Sequence, residues 1–188
     1  MDRLAPFFHR LYLETPWCYL SWPTAAMVIG TLLAAVSAAL ATRLAVVPRQ
    51  ASGLLGILTA PFVHANAAHL AANLPPFLVL GGLVLRRNET RFVEVAASIA
   101  IAGGLLLWLF GRRLAHVGMS GVIFGFFGYL LALAWFARSP GDLLVAGGVL
   151  LVYGGMVAGL KPVREKVSWE SHLFGLAAGI ARAWFDTH

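Results

Sequence analysis

The sequence predicts an all-α membrane protein, a bundle of six transmembrane helices. Composition is the first reason. Of the 188 residues, 60% are hydrophobic and 12% charged, whereas a globular domain carries about a quarter charged residues. A chain so poor in charge cannot cover its own surface with polar groups, and a mean hydropathy of +0.80 points to lipid as the covering medium. The second reason is six apolar runs, near residues 23–42, 67–85, 92–110, 119–137, 142–160 and 168–185. Each approaches the roughly 17–25 residues a helix needs to cross a bilayer. None alternates apolar and polar residues as barrel strands would, so helix is the spanning form. Tryptophan supplies the third reason. Trp17 and Trp22 precede the first run, Trp108 and Trp135 end the third and fourth, and Trp169 and Trp184 bracket the sixth. Indole rings favour the headgroup level, and all of these sit at span ends.

Taken in order, residues 1–21 form a polar and aromatic lead-in, partly interfacial. The first run ends near Ser37-Ala38-Ala39, which resembles a leader cleavage site. It is nevertheless long enough to span and is followed by five more runs, so it reads as a helix that stays. Residues 48–66 form a first loop with its own apolar segment (Leu54, Leu55, Ile57, Leu58), too short to cross. Pro75 and Pro76 fall inside the second run and should kink or loosen it, because each removes a ladder N–H. With no internal repeat and no low-complexity tail, residues 1–188 read as a single domain.

The net charge of +6 raises the question of nucleic acid. The cations are scattered in short groups between apolar runs (Arg86, Arg87, Arg91; Arg112, Arg113; Lys161, Arg164, Lys166), which suits lipid headgroups and not a phosphate-tracking face. Counted over the loops, Arg3, Arg10, Arg86, Arg87, Arg91, Arg138 and Arg182 on one side balance Arg43, Arg49, Arg112, Arg113, Lys161, Arg164 and Lys166 on the other. Charge bias therefore sets no orientation. Cys18 is the sole cysteine, so no intrachain disulfide forms.

Polar groups inside apolar spans are costly and are functional candidates for that reason. His69 and Asn73 lie in the second run, Ser120 opens the fourth, and His172 opens the sixth. Even-numbered spans all enter from the same side, so these four groups share one leaflet. His69 and Asn73 are spaced i, i+4 and lie on one helix face. They can bridge helices by hydrogen bonds, or they can hold an oxyanion during acyl transfer. Ser120 sits in Gly118-Met119-Ser120-Gly121, where flanking glycines permit a tight turn and a helix N-terminus favours developing negative charge; as an isolated motif it could equally be an N-cap serine. His172 opens a helix with Gly175 and Gly179 on one face, a close-packing pair. If that face meets the glycine face of Gly121 and Gly125, the Ser120 hydroxyl comes within about 2.6–3.2 Å of a His172 ring nitrogen, and histidine is the usual base for serine.

Of the acids, only Glu165 and Glu170 fall on that side. Glu170, two residues before His172, points away from it on a helix, so a serine–histidine dyad without a carboxylate is predicted, with Phe124 packed on the imidazole. His64 is assigned to ordering the loop before the second helix. His116, in a loop with no helix to fix it, is set aside as the base. The site should lie ~10 Å below an interface marked by Arg112 and Arg113, given helical rise, and it must admit water.

Together, His64-x4-His69-x3-Asn73, Gly118-Met119-Ser120-Gly121 and His172-x2-Gly175-x3-Gly179, in this order on alternate spans, resemble the rhomboid family of intramembrane serine proteases, from about residue 53 to 182. The resemblance implies a six-span, bacterial-type core, Ser120 as nucleophile and His172 as general base and acid. It implies that Asn73, His69 and the Ser120 backbone N–H line the oxyanion hole. It further implies transmembrane protein substrates in a lipid bilayer, no cofactor or metal, no nucleic acid, and a bacterial inner membrane with a cytoplasmic N-terminus. Phe124 stands where many relatives have tyrosine, Ser171 where alanine or glycine is common, and the first loop lacks a Trp-Arg pair. These departures bear on loop structure and substrate preference. A catalytically silent rhomboid-like binder of membrane proteins usually lacks the serine or the histidine; a sorting-type protease trimming one C-terminal signal is a subclass of the same reading. A haem or metal bundle would use His69 and His172 but leaves Asn73 and the glycine-flanked serine unexplained, and no H-E-x-x-H motif occurs. A proton-relay transporter would not need a serine facing its histidine.

Overall fold

The computed structural model describes residues 17–87, 89–162 and 168–188. Most of the lead-in and the charges Arg164, Glu165 and Lys166 lie outside the described residues. The helices are α1 (Cys18–Val36), α2 (Ala38–Arg43), α3 (Gly56–Thr59), α4 (Ala67–Arg87), α5 (Phe92–Phe110), α6 (Ser120–Ala137), α7 (Pro140–Tyr153) and α8 (Trp169–Thr187). Among the described residues the one extended pairing is an isolated antiparallel bridge between Val46 and His116.

α6 is the axis of the bundle. Two-thirds of it (67%) is buried, against 11% of the Pro140–Leu160 segment, whose apolar side chains face outward as lipid-facing side chains do. It carries glycine toward α8 and large apolar groups elsewhere. Phe126, fully buried, stacks with Phe77 of α4 and meets Phe92 of α5 at a tilt. On the α8 side a Cβ added at Gly175 would lie 1.9 Å from the Gly121 carbonyl oxygen, and one at Gly179 would lie 1.9 Å from that of Gly125. The two backbones touch, and only glycine allows it.

The structure adjusts four of the expected spans. The first helix starts earlier, at Cys18, and stops at Val36, because extended Ser37 accepts the Leu40 N–H and caps the short α2. The second runs unbroken through Pro75 and Pro76, which release carbonyls from the ladder without ending the helix. The fifth is α-helical only to Tyr153, and Gly154–Leu160 tightens into a 3-10 helix where glycines weaken the α form. Among the described residues, five helices are both long and apolar enough to cross a membrane. The sixth, α8, has the length, but it carries Glu170, Arg182 and Asp186, each ion-paired within the bundle.

The first loop holds 3-10 turns at Ala51–Gly53 and Ala60–Phe62 around α3. It packs on the end of α5: Ile57 fills the space beside Gly104, Arg49 N–H donates to the Trp108 carbonyl (3.0 Å), and Trp108 Nε1 donates to Gln50 (2.9 Å). As expected, this apolar segment is too short to cross a membrane; Ile57 is buried while Leu54, Leu55 and Leu58 are exposed.

Candidate active site

Four local devices deliver the candidate side chains. Asn66 accepts the His69 N–H (2.8 Å) and so caps α4. His69 Nδ1 accepts the Ala65 N–H (3.4 Å), which leaves Nε2 as the nitrogen that carries hydrogen. Gly118, at φ +118°, turns the chain into α6, and a Cβ there would lie 2.8 Å from His69 Cε1. A residue with a side chain would be strained there by its own backbone as well as by His69.

His64 locks this turn. It is 1% exposed; its Nε2 accepts the Met119 N–H (3.3 Å), and its Nδ1 meets Thr31 Oγ1 (3.2 Å), whose own hydrogen goes to the Met27 carbonyl (2.7 Å). Both ring nitrogens are committed in the neutral form. Burial, with His69 adding to it, pushes the imidazole down to about 4. His64 thus ties α1 and the first loop to the residue preceding Ser120.

Ser120 Oγ and His172 Nε2 are 3.0 Å apart across the α6–α8 contact. The Phe124 ring lies flat on the imidazole, with centroids 4.2 Å apart and planes 7° from parallel. His172 Nδ1 meets the Gly159 carbonyl at 2.9 Å. No carboxylate touches the ring among the described residues. Glu170 turns away, as its spacing required, and pairs with Arg112 through both carboxylate oxygens.

His69, Asn73, Ser120 and His172 line one cavity of about 760 Å³, together with Tyr153 and Met156. Asn73 is buried; its Nδ2 donates to the His69 carbonyl (2.8 Å), and its Oδ1 has no partner among the described residues. One amide hydrogen therefore remains for the cavity. The Ser120 N–H opens α6, outside the i→i−4 ladder, and adds a donor at the same end.

His116 is not loosely held, contrary to the reason for setting it aside. Its backbone exchanges two hydrogen bonds with Val46 (3.0 and 2.9 Å). Its Nδ1 meets Ser168 Oγ (2.6 Å) and its Nε2 the Arg112 carbonyl (2.9 Å), so neither nitrogen is available to Ser120. Burial pushes this imidazole below its ordinary value. Gly159, Ser168 and Thr31 escaped the sequence reading. For Gly159 the signal was the Gly154, Gly155, Gly159 cluster at the end of the fifth run; for Thr31 it was a hydroxyl in the middle of an apolar helix. Ser168 carried no signal, since its partner lies 52 residues away.

The molecule is thus a polytopic α-helical membrane protein with a serine and a histidine paired inside the bundle. The Rhomboid domain family matches residues 51–188, and the chain belongs to that family. It is 42% identical over 146 residues to an uncharacterized protein of Mycobacterium tuberculosis, covering 73% of this chain and 61% of that one. A Mycobacterium leprae protein, also uncharacterized, is 40% identical over 140 residues (70% of this chain, 55% of the relative). The putative rhomboid protein of Acanthamoeba polyphaga mimivirus is 33% identical over 135 residues (68% and 72%). The chain thus spans about 61% of the length of the Mycobacterium tuberculosis relative.

Proposed function

We propose that this protein is an intramembrane serine endopeptidase that cleaves transmembrane segments of other membrane proteins. The hydrogen bond of 3.0 Å between Ser120 and His172 inside the bundle carries the reading. His172 Nε2 takes the hydroxyl proton as Ser120 Oγ attacks the scissile carbonyl, then returns it to the leaving amine. The negative charge on the tetrahedral intermediate falls to the Ser120 N–H, His69 Nε2–H and the remaining Asn73 amide hydrogen, donors fixed before the reaction begins. Water then enters and, with His172 again as base, hydrolyses the acyl-enzyme; a cavity of about 760 Å³ has room for it. The protein sits in a bacterial inner membrane with its N-terminus in the cytoplasm, and the cavity faces the opposite side. A serine-reactive fluorophosphonate should label the wild-type protein and not Ser120→Ala, and the same substitution should abolish cleavage of a test transmembrane substrate while leaving yield in detergent unchanged. Cleavage retained well above background in Ser120→Ala would overturn the assignment.

A further inference from the structure

The His172 imidazole is held at three points: Nε2 by Ser120, one face by Phe124, and Nδ1 by the Gly159 carbonyl oxygen at 2.9 Å. We infer that the backbone carbonyl of Gly159 positions His172, standing where a carboxylate stands in a three-membered serine hydrolase site. This rests on the proposed protease reading and deepens it. A carbonyl oxygen can only accept, so Nδ1 must carry the hydrogen and the Nε2 lone pair must face Ser120 Oγ. In a serine protease whose orienting group no longer fixes that tautomer, turnover falls by roughly 10⁴.

The carbonyl is available because of where it lies. Gly159 sits in the last turn of the 3-10 helix Gly154–Leu160, whose final carbonyls have no partner further along the helix. That end also carries the negative pole of the peptide dipoles, directed at the ring hydrogen and at the positive charge the ring gains in the transition state. A neutral carbonyl avoids burying an ionised carboxylate within a membrane bundle. Residue 159 must also lack a side chain: a Cβ there would lie 3.0 Å from Phe124 Cζ and 3.2 Å from His172 Nδ1. The backbone oxygen and the missing side chain serve the same ring.

Two variants test this. Gly159→Ala should lower kcat roughly tenfold or more, with KM within about twofold of wild type, since a displaced ring loses its aim at Ser120 while the cavity remains. Because that variant can also act by misfolding, the second replaces Leu160 by its α-hydroxy acid, which turns the Gly159–Leu160 amide into an ester and weakens the Gly159 carbonyl as an acceptor without changing any side chain. In ¹⁵N-histidine NMR the wild-type His172 should be the Nδ1–H tautomer. The ester should bring in the Nε2–H form and lower kcat roughly tenfold, the scale of one weakened hydrogen bond. The same exchange at Val157, in the same 3-10 helix, should change neither. A wild-type ring in the Nε2–H form, or an ester at Leu160 that leaves tautomer or kcat unchanged, would overturn the inference. A wild-type protein that neither cleaves nor labels would defeat the protease reading instead, and the tautomer measurement would still decide what Gly159 does to the ring.

Discussion

At Ser120 everything turns on one lone pair facing one hydroxyl, so the predictions at the residue scale are sharp. His172→Ala should be nearly as damaging as Ser120→Ala, each costing on the order of 10⁶ in turnover, because nucleophile and base act as a unit. Asn73→Ala should keep measurable activity, with a loss of roughly 10²–10³, the scale of one oxyanion donor. Part of its amide already serves the His69 carbonyl (2.8 Å), so the substitution also loosens the helix face that presents His69. His116→Ala should retain cleavage, since its ring is occupied by Ser168 and Arg112, and should cost stability in detergent instead, about 1–3 kcal/mol for orphaned partners. If His116→Ala abolished turnover and His172→Ala were tolerated in the same cleavage assay, the base would be misassigned.

Among elements, the contact between α6 and α8 sets the geometry of the pair. Gly121, Gly125, Gly175 and Gly179 bring two backbones together, and the serine and the histidine ride on the ends of those helices. Gly179→Ala places a methyl 1.9 Å from the Gly125 carbonyl oxygen, a clash with backbone that no rotamer relieves. It should lower stability by about 1–3 kcal/mol or more and depress cleavage with it, read as a fall in thermal unfolding temperature beside turnover. Gly141→Ala, where the same methyl meets nothing within 4 Å, should leave both unchanged. Spacing had already suggested the glycine contact; the ion pair of Arg112 with Glu170, which joins the loop before Ser120 to the start of α8, was beyond its reach. Arg112, with Arg113, read as an interface marker because an arginine at a span end looks the same whether it meets a headgroup or a carboxylate 58 residues away.

For the whole molecule, His64 gives a pH signature. Its folded-state value lies near 4, below the ordinary 6.5, so the folded protein binds this proton less readily than the unfolded chain does. The stability it contributes is complete above about pH 6.5 and is lost as pH falls toward about 4, on the order of 3 kcal/mol in all. Unfolding in detergent should therefore steepen with acid over that window, and His64→Gln should flatten the slope at some cost in stability at neutral pH. A slope unchanged by the substitution would mean that other groups dominate the acid response.

What the sequence determined by itself was whatever depends on composition and on spacing along one helix: the membrane class, the near positions of the helices, the convergence of His69, Asn73, Ser120 and His172 on one end of the bundle, and the glycine faces. These follow from the thickness of a bilayer and the pitch of a helix, which any residue string can be measured against. Only the tertiary structure decided the rest. The break at Ser37 and the 3-10 end of α7 depend on local hydrogen bonds that leave little trace in hydropathy. Thr31 for His64, Ser168 for His116, Glu170 for Arg112 and Gly159 for His172 come from other segments of the chain, and the last of these acts through a backbone oxygen. Every residue carries a carbonyl, so the glycine cluster could mark the segment but could not single out the Gly159 carbonyl as the one that faces the imidazole.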